Sequence, residues 1–448
     1  MPSGPRVIDR IAAAVAHLFY RIDVVGEPPP AGPLLLLPNH FNALLDPALV
    51  MATAGRPIRF LAKSTLFGGP FRPLLAAADA IPVYRKKDGV ETGRNDETFS
   101  AVASALAQGQ AVCVFPEGIS HSSGRLETLR TGAARMALSA VAAGVDVRLV
   151  PVGINLERKT VFRSRATIAY GRPFGVAPPA ATDRHAPAEA VRRLTVLIAE
   201  HVRALLVEAD PERDAALVER VNRLYLAGRS EDVEAGADLA RRRTIADAIA
   251  RLRAERPDFY EASLVQLRRY DDRMHRFGLD DSALDWEVSK SVAWRFIVRE
   301  VPLALVLAPV AAAAAIALAV PYTVTDLASK AVKDTDVTAT AKVMIGAIVY
   351  TCWIALLGTA AWWVGGSRLA MAILLMLPVL AVAGLFAIER ESAAWRSARS
   401  WLALRGAHTT TRRALQRRRA ELAEILDHVS RWITANRSDE SAPADHVR

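Results

Sequence analysis

The stretch Leu34–Pro47 reads LLLLPNHFNALLDP, and its reading decides the fold. Leu34–Leu37 is a short continuous apolar run, the pattern of a strand buried in a core. Pro38 and Asn39 break that run. Asp46-Pro47 then reads as an N-cap followed by a first-turn proline, which opens a helix ending near Gly55. The chain therefore passes from buried strand through a short loop into a helix, and the loop is flanked by His40 and Asp46. A carboxylate bonded to one imidazole nitrogen fixes the tautomer and stabilises the imidazolium, so the other nitrogen can take a proton from an alcohol. Taken alone, the pair also has a bland reading: a surface histidine beside a helix cap.

Working outward, the same alternation continues from about Gly26 to Phe174. Strand candidates at Leu34–Leu37, Ile58–Leu61, Ile81–Tyr84, Ala111–Phe115, Arg148–Ile154 and Thr167–Tyr170 are separated by helices. Two of the helices are Asp96–Gln108, closed by Gly109, and Gly132–Ala143, closed by Gly144. The expected fold class is α/β, a mixed sheet with flanking helices. From about Ala186 to Trp294 the pattern turns helical and charge-laced, with no strand signal. The expected divisions are residues 1–25 as an amphipathic helix, 26–185 as the catalytic domain and 186–298 as a helical connector. Residues 299–390 are the expected membrane segments and 391–448 a basic tail, helical and then disordered.

Several strand ends carry chemistry. Ala111–His121 reads AVCVFPEGISH, in which Pro116 and Gly118 force a turn and leave Glu117 at its tip. Arg125, Arg130 and Thr131-Gly132 precede the next helix, so guanidinium groups and free helix N–H groups can meet an anion there. The run AIPVYR ends on Arg85, and VPVGIN ends near Gly153. In an α/β sheet, strand ends that converge on one side build a crevice.

The formal net charge of +10 over 448 residues invites nucleic acid, anionic lipid or an acidic substrate. The membrane reading prevails because Val301–Val320, Val343–Val364 and Leu369–Ile388 lack any charged side chain, and roughly 20 apolar residues cross a bilayer core. Gly365-Gly366-Ser367-Arg368 between the last two predicts a tight hairpin. The first segment is weaker, being Ala-rich and broken by Pro302 and Pro309. Arg295 and Arg299 precede it and an arginine-rich stretch from Arg390 to Arg419 follows the third, so both flanks favour the cytoplasmic side. The hairpin is expected to span, with the first segment re-entrant or interfacial. Arg6–Arg21 places Val7, Ile8, Ile11, Val15, Leu18 and Phe19 on one helical face, suited either to a membrane surface or to packing on the domain. Cys113 and Cys352 lie in a strand and a membrane segment, so neither a disulfide framework nor a metal cluster is in view.

Together these motifs resemble the glycerolipid acyltransferases. Asn39-His40 to Asp46-Pro47, the Ile81–Arg85 strand end, Phe115-Pro116-Glu117-Gly118 and Val150-Pro151-Val152-Gly153 occur in that family's order over about residues 30 to 175. Two departures stand out: one residue more than the family's usual spacing between His and Asp, and Ile119-Ser120-His121 in place of Thr-Arg after the Glu-Gly pair. Both are shared with a subgroup similar to the fungal glycerol-3-phosphate/dihydroxyacetone-phosphate acyltransferases.

The resemblance implies acyl transfer from acyl-CoA or acyl carrier protein to a hydroxyl of glycerol-3-phosphate or 1-acylglycerol-3-phosphate in phospholipid biosynthesis. His40 would be the general base and Asp46 its orienter, with no metal, cofactor or covalent enzyme intermediate. Arg85, with Lys63 and Arg130 as further candidates, would neutralise the acceptor phosphate, and Glu117 and Gly118 would shape the acceptor site. The expected partners are membrane lipid, the acyl donor and a phosphorylated glycerol acceptor, and not nucleic acid. The expected location is the cytoplasmic membrane, catalytic domain on its cytoplasmic face. The alternatives are a lysophospholipid acyltransferase or transacylase whose acceptor lacks a terminal phosphate, and a catalytically idle lipid-binding protein.

Overall fold

The computed structural model describes residues 6–69, 71–84, 95–177, 186–211, 213–227, 234–286, 290–332, 338–406 and 409–440. Arg85 lies outside the described residues, as does the end of the tail. The chain forms two compact units, residues 1–216 with 233–246 and 334–340, and residues 217–232 with 247–333 and 341–448.

The first unit is built on an eight-stranded mixed sheet. Its strands are β1 (Tyr20–Val25), β2 (Leu34–Pro38), β3 (Ile58–Lys63), β4 (Ile81–Val83), β5 (Ala111–Cys113), β6 (Arg148–Leu156), β7 (Ser164–Tyr170) and β8 (Phe174–Gly175). The order is β1-β7-β6-β2-β5-β3-β4, with β8 on β6. Leu36 of β2 sits opposite both Cys113 of β5 and Val150 of β6, so the four-leucine run is a central strand. Because β2 to β6 are mutually parallel, their C-terminal ends share one edge. His40 and Glu117 follow β2 and β5 there, and Lys63 is the last residue of β3.

The helices are α1 (Val7–Phe19), α2 (Leu45–Thr53), α3 (Arg72–Ala77), α4 (Asn95–Ala107), α5 (Gly132–Ala142) and α6 (Ala186–Arg203). Leu35 and Leu37 enter a core with Val102, Met136 and Ile198 from α4, α5 and α6. Strand side chains alternate, so Leu34 and Leu36 point to the other face, and both are fully buried there. Since α6 fills this core, the first unit continues past residue 185.

Two further expectations are corrected. Asp46 is not the N-cap of α2, a position that Leu44 holds; its carboxylate turns back to His40 and to the Asn42 N–H. The N-terminal helix stops at Phe19, and Tyr20–Val25 enters the sheet as an edge strand parallel to β7. Its apolar residues divide: Ile8, Ala16 and Phe19 are buried while Val7, Ile11 and Leu18 are exposed. The helix packs on α2 and keeps an apolar strip facing outward.

The second unit is helical. Its elements include most of α7 (Ala215–Leu226), the end of α8 (Ala235–Glu255), α9 (Pro257–Phe277), α10 (Lys290–Lys330), α11 (Thr338–Gly406, of which Thr338–Thr340 fall in the first unit) and α12 (Thr409–Glu440). Helix α10 runs unbroken through Pro302, Pro309 and Pro321, so the prolines do not interrupt the first apolar segment as expected. The two later segments lie in α11 on either side of Gly366, whose backbone is non-helical (φ 72°, ψ −169°). Gly358 lies against Leu374, contact that sixteen residues of straight helix, about 24 Å long, cannot make. The chain reverses at Gly366, as the expected hairpin requires.

Small residues bring these helices close: Gly384 lies on Ala314, and Trp353 Nε1 donates to the Ala317 carbonyl at 2.9 Å. Leu305, Ile316, Trp363 and Val364 are 72 to 85% exposed. α10 and α11 are long and apolar enough to cross a membrane.

Candidate active site

The β2 end positions the histidine through its neighbour. Asn39 is wholly buried, and its amide donates to the Ile154 carbonyl at 3.0 Å and accepts the Ile154 N–H at 2.7 Å. The side chain thus pairs with β6 as a strand residue would, just where Pro38 has ended β2, and His40 emerges from a fixed point. The imidazole stacks on Phe115, ring centroids 4.0 Å apart. Its Nδ1 lies 2.9 Å from Asp46 Oδ2.

Asp46 is completely buried, and the same Oδ2 accepts the Asn42 N–H at 2.6 Å. Burial raises its pKa above the usual carboxylate range, opposed by the hydrogen bond and charge of His40 and by the Asn42 N–H. With Nδ1–H donated to this carboxylate, the lone pair is on Nε2, which has no protein partner among the described residues. A histidine with one nitrogen so held and the other free can accept a proton from a hydroxyl.

The loop between His40 and Asp46 is braced from afar. Asn42 Nδ2 donates to the Tyr20 hydroxyl at 3.1 Å, and that hydroxyl donates to the Lys159 carbonyl at 2.5 Å. Burial, then the nearby Asp46 carboxylate, raises the Tyr20 pKa, so it serves as a neutral hydroxyl. The Lys159 ammonium donates to Ser122 Oγ at 2.6 Å and to the His121 carbonyl at 3.3 Å, and its charge lowers the pKa of Asp46. Thr340 accepts the Leu44 N–H at 3.1 Å.

None of Tyr20, Asn42, Lys159 and Thr340 was identified from the sequence. Asn42, inside the loop, was the nearest to being legible. The others come from distant segments whose residue types carry no signal. Cys113, buried at the end of β5, has its thiol pKa pushed up by burial and by Asp46, so it is not an activated nucleophile.

Glu117 does not stand at an exposed tip. It is 1% exposed, with Oε1 accepting the His40 N–H at 2.7 Å and Oε2 accepting the Glu127 N–H at 2.9 Å and contacting His121 Nε2. Two main-chain donors turned inward need an acceptor, and a carboxylate satisfies both. Gly118 has φ +74°, and a Cβ there would lie 3.2 Å from Arg130 Cγ, so this turn leaves room only for glycine without strain. Arg130 is tied to the same turn by its N–H to the Pro116 carbonyl at 2.7 Å, and its side chain is exposed. Lys63 closes β3 on the same edge and is half-buried. The structure therefore gathers His40, Asp46, Glu117, Gly118 and Arg130 around one edge of the sheet.

Residues 21–155 match the family model described as Acyltransferase. Over 134 residues the chain is 34% identical to glycerol-3-phosphate O-acyltransferase 2 of Saccharomyces cerevisiae, covering 29% of this chain and 18% of that protein. It is 31% identical over 177 residues to the lyso-ornithine lipid O-acyltransferase of Rhizobium meliloti, covering 39% of this chain and 56% of the relative. The crystal structure of the 1-acyl-sn-glycerophosphate acyltransferase PlsC from Thermotoga maritima is similar at a TM-score of 0.32 and 19% identity, over 44% of this chain and 78% of that one. The chain spans less than a fifth of the length of the yeast relative and about half of the bacterial one.

Proposed function

We propose that the acyltransferase domain at residues 21–155 gives this chain an O-acyltransferase activity: transfer of a fatty acyl group from a thioester, acyl-CoA or acyl carrier protein, to a hydroxyl of glycerol-3-phosphate or 1-acylglycerol-3-phosphate. The observation that carries the reading is the His40 imidazole, held at Nδ1 by a fully buried carboxylate and free at Nε2. The acceptor hydroxyl gives its proton to Nε2 as its oxygen attacks the thioester carbonyl carbon. The tetrahedral intermediate collapses with cleavage of the C–S bond, and the proton passes from Nε2 to the departing thiolate. A positioned base contributes typically 10²–10⁴-fold.

A phosphate on the acceptor is met by Arg130, whose exposed guanidinium has no protein partner among the described residues, with Lys63 and Arg85 as further cations. An arginine binds phosphate through paired N–H donors. The apolar helices α10 and α11 and the outward strip of α1 support a membrane setting for the reaction. We assign this to the cytoplasmic membrane with the domain on its inner face, where the acyl donor is available.

A second acceptor class is supported by the bacterial relative, whose name specifies a lyso-ornithine lipid. The test is an acceptor panel on purified protein with labelled acyl-CoA and acyl carrier protein: glycerol-3-phosphate, dihydroxyacetone phosphate, lysophosphatidate, lysophosphatidylcholine and lyso-ornithine lipid. Preference for a phosphate monoester is expected. Turnover confined to the last two moves the reading to the second class, and no turnover on any of them overturns it.

A further inference from the structure

We infer that His121 is a positioning residue for His40, acting through Glu117. The inference rests on the reading of His40 as the base. His121 belongs to the Ile119-Ser120-His121 stretch that stands in place of the usual Thr-Arg, and it has no place in the proton transfer itself.

Two hydrogen bonds tie the main chain of His40 to the turn after β5: its N–H donates to Glu117 Oε1 at 2.7 Å, and its carbonyl accepts the His121 N–H at 3.1 Å. The strand before His40 is already clamped by Asn39, so these bonds fix the one segment that carries the ring. The Glu117 carboxylate can hold the His40 N–H only if it keeps its own orientation. That orientation comes from Oε2, on which the Glu127 N–H and the His121 Nε2 converge. Among the described residues, His121 is the only side chain that supports the buried carboxylate.

His121 is itself held on three sides. Its Nδ1 lies 2.9 Å from Ser123 Oγ, and Phe41 packs edge-on with ring centroids 5.3 Å apart. Its carbonyl accepts the Lys159 ammonium at 3.3 Å. The ring is 10% exposed and the Glu117 side chain not at all. With a proton on Nε2, the ring donates to Glu117, while the Ser123 hydroxyl lies within reach of both Nδ1 and the Arg125 carbonyl at 3.0 Å. Removing the ring leaves Oε2 with the Glu127 N–H as its one donor, and a buried carboxylate short of a donor turns to find another. The His40 main chain follows Glu117, and a misplacement of about 1 Å at a reacting group can cost 10²-fold in rate.

The two ring nitrogens make the test specific. A glutamine amide reaches the place of Nε2, whereas an asparagine amide reaches only the place of Nδ1. In the full-length protein, His121→Asn and His121→Ala are expected to lower kcat about 10- to 100-fold with KM for either substrate changed less than about threefold. His121→Gln should keep most of the wild-type kcat. In parallel, hydrogen exchange of the peptide carrying His40 is expected to accelerate in the Asn and Ala variants and not in Gln, because the His40 N–H loses its acceptor.

Unchanged kcat in His121→Ala overturns the proposal, as does an equal loss in Asn and Gln. Unchanged exchange at His40 overturns it too, whatever the activity. If the alanine variant does not fold, the Gln and Asn pair decides. If the wild-type protein transfers no acyl group, the functional reading fails, while the exchange data still decide whether His121 positions His40.

Discussion

In the proposed mechanism the chemistry at His40 depends on a charge that the fold keeps at a cost. Asp46 is fully buried and its pKa is raised, so its ionised form is disfavoured in the folded chain relative to the unfolded one. The sign follows from linkage: a raised carboxyl pKa gives stability below the unfolded value, and that stability is lost as pH rises through the folded one. At neutral pH, ionised Asp46 is therefore destabilising. Asp46→Asn should raise the thermal midpoint in detergent while cutting turnover severely, since the amide no longer stabilises the imidazolium. A variant that is both less stable and fully active would contradict both halves of the argument.

His40→Ala should lower kcat at least about 100-fold, the lower bound for a positioned base, with circular dichroism unchanged. Retention of more than about a tenth of wild-type turnover would remove His40 from the mechanism. Arg130→Ala should raise KM for a phosphorylated acceptor more than KM for the donor, since a guanidinium–phosphate contact persists from ground state to transition state. Lysine there should restore only part of the affinity. Equal effects on both substrates would assign Arg130 to the turn after β5 instead.

At the scale of elements, the site depends on how β2 is stopped. Pro38 has no N–H to continue a ladder, and Asn39 supplies in its place a side chain that takes both polar groups of Ile154 on β6. Asn39→Ala would leave a buried N–H and a buried carbonyl unpaired, a loss of about 2–3 kcal/mol. The measurement is thermal unfolding with activity followed in parallel. Asn39→Asp, which keeps the acceptor and loses the donor, should fall between.

Gly153 in the next motif has a packing reason of the same kind. A Cβ there would meet the Leu205 carbonyl at 2.5 Å. What reads as a string of motifs is largely the set of devices that let parallel strands end in register at one edge.

At the scale of the whole molecule, we propose a membrane topology from pairings within each unit. In the second unit, Glu300 at the start of the first apolar segment accepts Arg390 at the end of the third through both oxygens, each at 2.8 Å. The two flanks therefore lie on one side, which demands an even number of crossings. In the first unit, Thr340 at the start of α11 is bonded to the Asn42–Leu44 loop. The topology we propose on this basis has the hairpin of α11 crossing and returning at Gly366, with the first segment not crossing.

Single cysteines on a background lacking Cys113 and Cys352 test this with a membrane-impermeant reagent on intact cells. Ser367→Cys should label from outside, whereas Ala331→Cys and Ser397→Cys should label only after permeabilisation. External labelling at Ala331 would show that α10 crosses.

The sequence by itself determined the classes of structure. A run of four leucines is buried wherever it sits, Gly and Pro punctuate strands wherever they occur, and twenty uncharged apolar residues need a non-aqueous neighbour. Those are local properties, and they carried the α/β alternation, the hairpin at Gly366 and the pairing of His40 with Asp46. Tertiary structure decided what depends on residues far apart in the chain meeting. Tyr20 to Val25 is a strand only because β7 offers it an edge, and α6 belongs to the first unit because its apolar face completes that core. Glu117 turns inward because two buried N–H groups await an acceptor. Tyr20, Lys159 and Thr340 reach the catalytic loop from three distant segments. A hydrogen bond across three hundred residues leaves no period or spacing in the sequence, since its specificity lies in the distance between atoms that only the folded chain brings together.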